Sequence, residues 1–273
     1  MRRGLLAAVS ERAEAFLEQW PGAQDGEPHA THQARVAARR LAEVLPLAGA
    51  TGERLARRVR AVRRALGAGR EMDVAIDLLG YEAAERQWPG PAVGRLRAYL
   101  ESERDRRRSE ARKALDDFDS GRLRRGIRAL GETVAHTASS DIRRRLTERR
   151  VERTRTLTKA IRRAGAMYDV ERLHAVRLAT KKLRYVLEVS GEVLGQKTAP
   201  TVAALKGAQE DLGRLHDLQV LHMEARALEN TLVPGRGRVA KGLSGIANDI
   251  DAACRVLHGR VMETMKKINE LTS

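Results

Sequence analysis

Along nearly all of the chain, apolar residues return every three or four positions, the spacing of one helix face; no stretch alternates convincingly as a strand would. The pattern predicts helices over about 4–20, 29–46, 52–66 and 70–87, then a long one reaching Phe118. Further helices are expected over about 122–135, 142–164, 170–194, 201–228 and 239–271. Helix breakers fall between them. Trp20-Pro21-Gly22 ends the first, a loop occupies 21–28, and Pro46 and Gly49 stop the second. Thr51 and Asp141 stand where N-caps belong. Gly67 and Gly69 bend the chain before residue 70, and Trp88-Pro89-Gly90-Pro91 ends the helix after it. In the second half the punctuation is Gly165 and Asp169, the loop 195–200, a break near Gly213 and the turn Pro234-Gly235-Arg236-Gly237. The expected fold class is all-α.

Two of these helices carry nearly the same text. Residues 32–45 (HQARVAARRLAEVL) align without a gap on 174–187 (HAVRLATKKLRYVL). His32/His174, Arg35/Arg177, Ala37/Ala179, Leu41/Leu183, Val44/Val186 and Leu45/Leu187 are identical; Arg39/Lys181 and Arg40/Lys182 keep their charge. At about 100° per residue, the apolar residues of each copy gather on one side, and the imidazole with its cations gathers opposite. Glu43 is the only acid in the first copy and the second has none. A basic helix face usually means a solvated surface; two copies in the same register argue for more. A second pair lies downstream: 66–74 (LGAGREMDV) on 212–220 (LGRLHDLQV), matching Arg70 with His216 and Glu71 with Asp217. The acid is either a helix-start carboxylate favoured by the macrodipole or a group that orients a neighbouring Arg or His. An internal duplication accounts for this order. The expected organisation is one domain over 1–273, with repeat 1 at about 4–118, a connector at about 119–138 and repeat 2 at about 139–271. Each repeat holds about five helices, the His-bearing one second.

The helix at 142–164 breaks its own pattern. Ile142, Leu146, Leu157, Ala160 and Ala164 form an apolar line, yet Arg149 and Arg153 fall on it. Cations on a core-facing line are costly unless paired or wet. Either they snorkel past the core edge, or this face borders a polar groove.

Composition narrows the partner. The formal net charge is +16 with 32% charged residues, which favours a polyanion: nucleic acid, an anionic membrane or a phosphate polymer. Aromatics are only 3%, which disfavours a single-stranded nucleic-acid binder that stacks bases. The single cysteine, Cys254, supports neither a disulfide framework nor a cysteine zinc site. The short apolar run near the N-terminus is broken by Ser10, Glu11 and Arg12, too early for a signal peptide, and no stretch approaches a membrane span. A soluble, cytoplasmic protein without a membrane partner is expected.

The motif H-x-x-R-(V/L)-x-x-(R/K)-(R/K)-L, followed by L-x-x-x-Q-x-x-L-G-x-x-x-D, resembles the CHAD family (conserved histidine α-helical domain). It is carried by His32, Arg35, Arg39, Arg40 and Leu41; by Arg70, Asp73 and Val74; by His174, Arg177, Lys181, Lys182, Leu183, Arg184, Tyr185 and Glu188; and by Leu205, Gln209, Leu212, Gly213 and Asp217. The resemblance covers about 4–271, and the second half is the closer match. The first half has Glu71 where the family usually has Asp, and Ala42 and Glu43 where an Arg-Tyr pair is usual. The resemblance implies two pseudo-symmetric helical bundles that bind inorganic polyphosphate without catalysis through a basic surface or groove, with polyphosphate granules as the associated place. Many relatives carry a fused CYTH-type phosphohydrolase domain with an E-x-E-x-K signature. Here Glu101-Ser-Glu103-Arg-Asp105 has the wrong last residue, so a stand-alone member with no cofactor is expected.

The candidate polyphosphate contacts are His32, Arg35, Arg39, Arg40, Arg60, Arg70, Arg149, Arg153, His174, Arg177, Lys181, Lys182, Arg184, Lys206, Arg214 and His216. Arg grips phosphate oxygens bidentately and Lys acts as a point charge. His32 and His174, set among cations, are expected to resist protonation until a polyanion binds. Two other functions compete, beside a structural scaffold with a solvated basic surface. Nonspecific nucleic-acid binding suits the charge, although no helix-turn-helix or zinc finger is visible. An HD-type metal phosphohydrolase would use His174, His216, Asp217 and Asp249 or Asp251, but His174 shares its face with cations.

Overall fold

In the computed structural model the described residues are 1–232 and 237–272. They form ten α-helices and no strand: α1 (Arg2–Gln24), α2 (Pro28–Val44), α3 (Ala50–Ala65), α4 (Arg70–Arg86), α5 (Gly90–Asp116), α6 (Ser120–His136), α7 (Ser139–Ala164), α8 (Val170–Leu194), α9 (Ala199–Asn230) and α10 (Arg238–Thr272). A 3-10 turn, Leu45–Ala48, joins α2 to α3. The all-α expectation holds. The turn expected at Pro234-Gly235-Arg236-Gly237 lies, except for Gly237, outside the described residues.

Several boundaries differ for local reasons. Helix α1 continues through Pro21, where an end was expected. Its last turn is still closed by the Asp25 amide, which donates to the Pro21 carbonyl at 3.1 Å, and Trp20 packs on Phe118 at 4.6 Å between ring centroids. Thr51 does not cap α3; Gly49 stands there with φ +82°. Asp141 lies inside the first turn of α7 and pairs with Arg144 at 3.2 Å. The side-chain caps that form are Asp119, accepting from the Arg122 amide at 2.7 Å, and Asp169, accepting from the Arg172 amide at 3.0 Å.

The break expected near Gly213 is absent: α9 runs 32 residues without interruption. The matching stretch of the first half does break, between α3 and α4, where Gly69 takes φ +80°. Its counterpart in the aligned segment is Leu215, which is buried and has a Cβ that makes this conformation costly. Gly69, rather than the glycine shared by both copies, is therefore what separates α3 from α4. A Cβ built on Gly213 meets nothing within 4 Å. Gly213→Ala is expected to raise stability by about 0.5–1 kcal/mol, since it removes backbone freedom from the unfolded chain in a helix interior; chemical denaturation checks it, and a loss would mean that the helix bends there.

The buried side chains divide into two cores, and the division crosses the two sequence halves. One core joins α1, α2, the 3-10 turn, α3 and α6 to the start of α7 (Ile142, Leu146) and the end of α8 (Val186, Val189, Val193). The other joins α4, α5, α9 and α10 to the end of α7 (Leu157, Ala160, Ile161, Ala164) and most of α8 from Leu173 to Leu187. Helices α7 and α8 thus serve both. An ion pair between the buried Arg12 and the exposed Glu192 reinforces the first junction: Arg12 on α1 grips both carboxylate oxygens of Glu192 on α8 at 2.7 and 2.8 Å. Between its two apolar segments α7 carries Arg149 and Arg153, so these cations sit at the seam where one core gives way to the other. That resolves the broken apolar line. The line is continuous in angle, but it passes from one core to the next over a polar gap.

Candidate functional site

The seam gathers charge from six helices, α7 with Arg149 and Arg153 among them. Helices α2 and α3 approach from the first core with Arg35, Arg39, Glu43 and Arg63; α4, α8 and α9 approach from the second with Arg70, Glu71, His174, Arg177, Lys181, His216 and Asp217. The two copies of the basic helix face each other here. Lys181 of α8 feels Arg39 and Arg35 of α2 as well as Arg177 of its own helix, and Arg177 feels Arg39 in turn. The polar faces of α2 and α8 therefore form one cluster rather than two separate surfaces.

Each member is fixed from below by packing. On α2, Ala34, Ala37, Ala38 and Leu41 are buried, which turns Arg35 and Arg39 toward the seam. On α8, Val176, Ala179, Thr180 and Leu183 do the same for Arg177 and Lys181. The bend at Gly69 delivers Arg70 and Glu71 at the first turn of α4. The His174 and His216 rings lie 5.2 Å apart, centroid to centroid, and His216 Nε2 is 4.0 Å from Glu71 Oε1. Glu43 of α2 meets Arg149 at 3.2 Å and Arg153 at 3.9 Å, and all three side chains are mostly buried. Arg149 and Arg153 therefore neither snorkel out nor stand alone; they border the cluster and share one carboxylate.

Cations outnumber the acids that could neutralise them, and burial, with that excess behind it, shifts the protonation of the cluster. Burial first, and then Arg177, Arg39 and Arg35, push Lys181 down to about 7, against the pull of Asp217. Burial with Arg39 and Arg70 brings Arg35 down to about 10. Burial, Arg177, His174 and Lys181 push His216 down to about 3. His174 and His32 are lowered as well, with burial ahead of the neighbouring cations as the cause, although His32 stands at the exposed rim. Burial raises Asp217 despite Arg177, Lys181, Arg214 and Arg70 around it. Arg35 Nη1 and Arg177 Nε are buried and meet no hydrogen-bond acceptor among the described residues. Donors held this way, in excess of carboxylates, are disposed to receive anionic oxygens. Beside His32 and Arg70 a cavity of about 670 Å³ opens, where Arg108 clasps Asp73 at 2.9 Å through both carboxylate oxygens.

The two readings of the acids resolve differently. Glu71 does start a helix, and it also faces His216. Asp217 lies in the middle of α9 with Arg177 as its principal cation, so its position serves the cluster and not a helix end.

Of the sixteen expected contacts, ten belong to this region: His32, Arg35, Arg39, Arg70, Arg149, Arg153, His174, Arg177, Lys181 and His216. The others lie elsewhere. Arg40, Lys182 and Lys206 are exposed outside the seam. Arg60 pairs with Glu53 at 3.3 Å, and Arg184 pairs with Glu188 at 3.0 Å while lying over the Tyr185 ring. Arg214 engages Glu82 across α4, although its charge still reaches Asp217. Arg63 was missed. It lies four residues after the buried Val59, on the flank of the α3 stripe, and Arg39 and Glu43 act on it; its angle was the available signal. Of the competing HD arrangement, His174, His216 and Asp217 lie in the cluster, but both candidates for the further aspartate are engaged elsewhere: Asp249 accepts from Trp88 Nε1 at 2.9 Å and Asp251 pairs with Arg255 at 2.8 Å. Among the described residues no group of three or more His, Cys, Asp and Glu is arranged to hold a metal ion, and no helix is long and apolar enough to cross a membrane.

Comparison with known proteins follows the same lines. Among curated protein sequences no match is found. Two solved structures share the fold. The crystal structure of the CHAD domain from the plant Ricinus communis has a TM-score of 0.63 and 23% identity, covering 92% of this chain and 86% of that one. PptA from Streptomyces chartreusis has a TM-score of 0.69 and 17% identity, covering 96% and 99%. The model of the CHAD domain matches residues 7–226. With most of its length matched and its two His-bearing helices opposed across one seam, this chain belongs to the CHAD family.

Proposed function

We propose that the protein binds inorganic polyphosphate, without catalysis, in the seam between its two cores. The observation that carries the reading is the convergence of Arg35 and Arg39 with Arg177 and Lys181, half-buried and in excess of acids. The resemblance of the motifs to the CHAD family supports polyphosphate as the polyanion, and cytoplasmic polyphosphate granules as its place. The geometry supports it over duplex DNA. A single flexible string of phosphates can enter a seam of half-buried cations, whereas the phosphates of a duplex lie on a stiff, wide cylinder whose charge is read at exposed surfaces.

The test is a titration of long-chain polyphosphate and of duplex DNA over the same salt series. Both affinities fall with salt. Polyphosphate is expected to bind more tightly at every salt concentration; equal affinities would overturn the reading.

A further inference from the structure

A second feature lies on the far side of the first core and does not depend on the ligand of the seam. Helices α1 and α6 run antiparallel: Arg2 Nε donates to the Thr137 carbonyl at 2.6 Å at one end, and Phe16 meets Phe118 at 5.8 Å at the other. Between them is a groove of about 650 Å³. Its floor is apolar, with Leu6, Val9, Leu17 and Ile127; Leu6, Leu17 and Ile127 are only partly buried against the core. Its walls are oppositely charged. Glu14 and Glu18 stand on the α1 side, Arg124 and Arg128 on the α6 side, all four exposed and each pair four residues apart. Among the described residues none of the four has an ion-pair partner.

We infer that a second copy of this chain docks in the groove, forming a two-fold dimer. The charge pattern selects this occupant. A two-fold axis running along the groove exchanges its walls while keeping every residue at its own height. Glu14 and Glu18 of one copy then meet Arg128 and Arg124 of the second, and the same pairs recur in reverse, as an isologous interface requires. The apolar floors cover one another. Helices of 23 and 17 residues lying side by side bury on the order of 1,000 Å² in total, the low end for a specific complex and suited to a dissociation constant in the micromolar range.

The experiment is sedimentation velocity of the full chain without polyanion, at physiological ionic strength, over a concentration series. A concentration-dependent dimer is expected, and a monomer throughout overturns the inference. Two charge-swapped proteins, Glu14→Arg/Glu18→Arg and Arg124→Glu/Arg128→Glu, should each associate at least about tenfold more weakly, because like charges then face each other. Mixed together they should form a heterodimer, because each swapped wall meets the opposite charge. Each variant must melt as the parent does. A dimer that survives either swap, or a mixture that stays monomeric, places any association elsewhere and overturns the groove assignment.

Discussion

Arg35→Ala/Arg39→Ala and Arg177→Ala/Lys181→Ala are each expected to weaken binding of long-chain polyphosphate by at least about 30-fold. A charge-assisted hydrogen bond contributes about 1.5–3 kcal/mol, and each variant removes two cations from a cluster whose remaining members take over part of the load. The two losses should not simply multiply in the quadruple variant, because Arg39 and Lys181 act on each other. Two independent surfaces would give another result: half the stoichiometry, with the surviving surface at full affinity. Stability supplies the control. Burial and then Arg177, Arg39 and Arg35 hold Lys181 below its ordinary value, and burial and then Arg39 and Arg70 hold Arg35 below its own, so the unliganded fold carries a repulsion that the substitutions relieve. The Arg35→Ala/Arg39→Ala variant should therefore melt no lower than the parent without polyphosphate, whereas Arg177→Ala/Lys181→Ala also strips Asp217 of its principal cation and needs Asp217→Asn beside it for the same comparison. A fall in affinity accompanied by a lower melting temperature would point to a damaged fold, and undiminished affinity in both double variants would remove the seam as the binding site.

The second large effect is on pH. Lys181 falls from 10.5 to about 7 and His216 from 6.5 to about 3 in the folded chain. Both are bases with lowered values, so the unfolded chain binds more protons and stability falls as pH falls. For Lys181 the contribution is complete above 10.5 and is lost on the way down to about 7. For His216 it is complete above 6.5 and is lost toward about 3. Between pH 6.5 and pH 5 His216 alone should remove about 2 kcal/mol. Asp217, being raised, works in the opposite sense at acid pH. A bound polyanion favours every one of the charged bases, so binding takes up protons. Polyphosphate affinity should rise as pH is lowered from about 9 to about 6, by up to about tenfold per pH unit for each proton taken up. Lys181→Arg, permanently charged, should flatten the profile above pH 7 while keeping tight binding. Calorimetric titration in buffers of different ionisation enthalpy counts the protons, and a flat affinity across the range would sink this account.

Much of this arrangement could be read from spacing alone, because the helical period is local. The span of α8 and the amphipathic faces of α2 and α8 follow from where Leu41, Val44, Leu183 and Val186 recur. What spacing could not carry was anything decided by a partner in space. Nothing near Arg149 in the sequence says that Glu43 waits across the seam. Arg60, Lys206 and Arg40 have the same local credentials as Arg39, yet only Arg39 faces Lys181. Gly213 shows a related limit. A glycine marks an opportunity to bend, and whether the chain takes it was decided two residues later, by Leu215 in one half and Gly69 in the other.

Helices α7 and α8 each contribute buried side chains to both cores, and this has a consequence for how the molecule comes apart. Neither core can melt while leaving its neighbour intact, since melting one strips a length of two helices on which the other depends. The protein should behave as a single cooperative unit, with one thermal transition shared by reporters on α1 and on α10. A polyanion held across the seam would then act as a splint, delaying the unfolding of both ends at once.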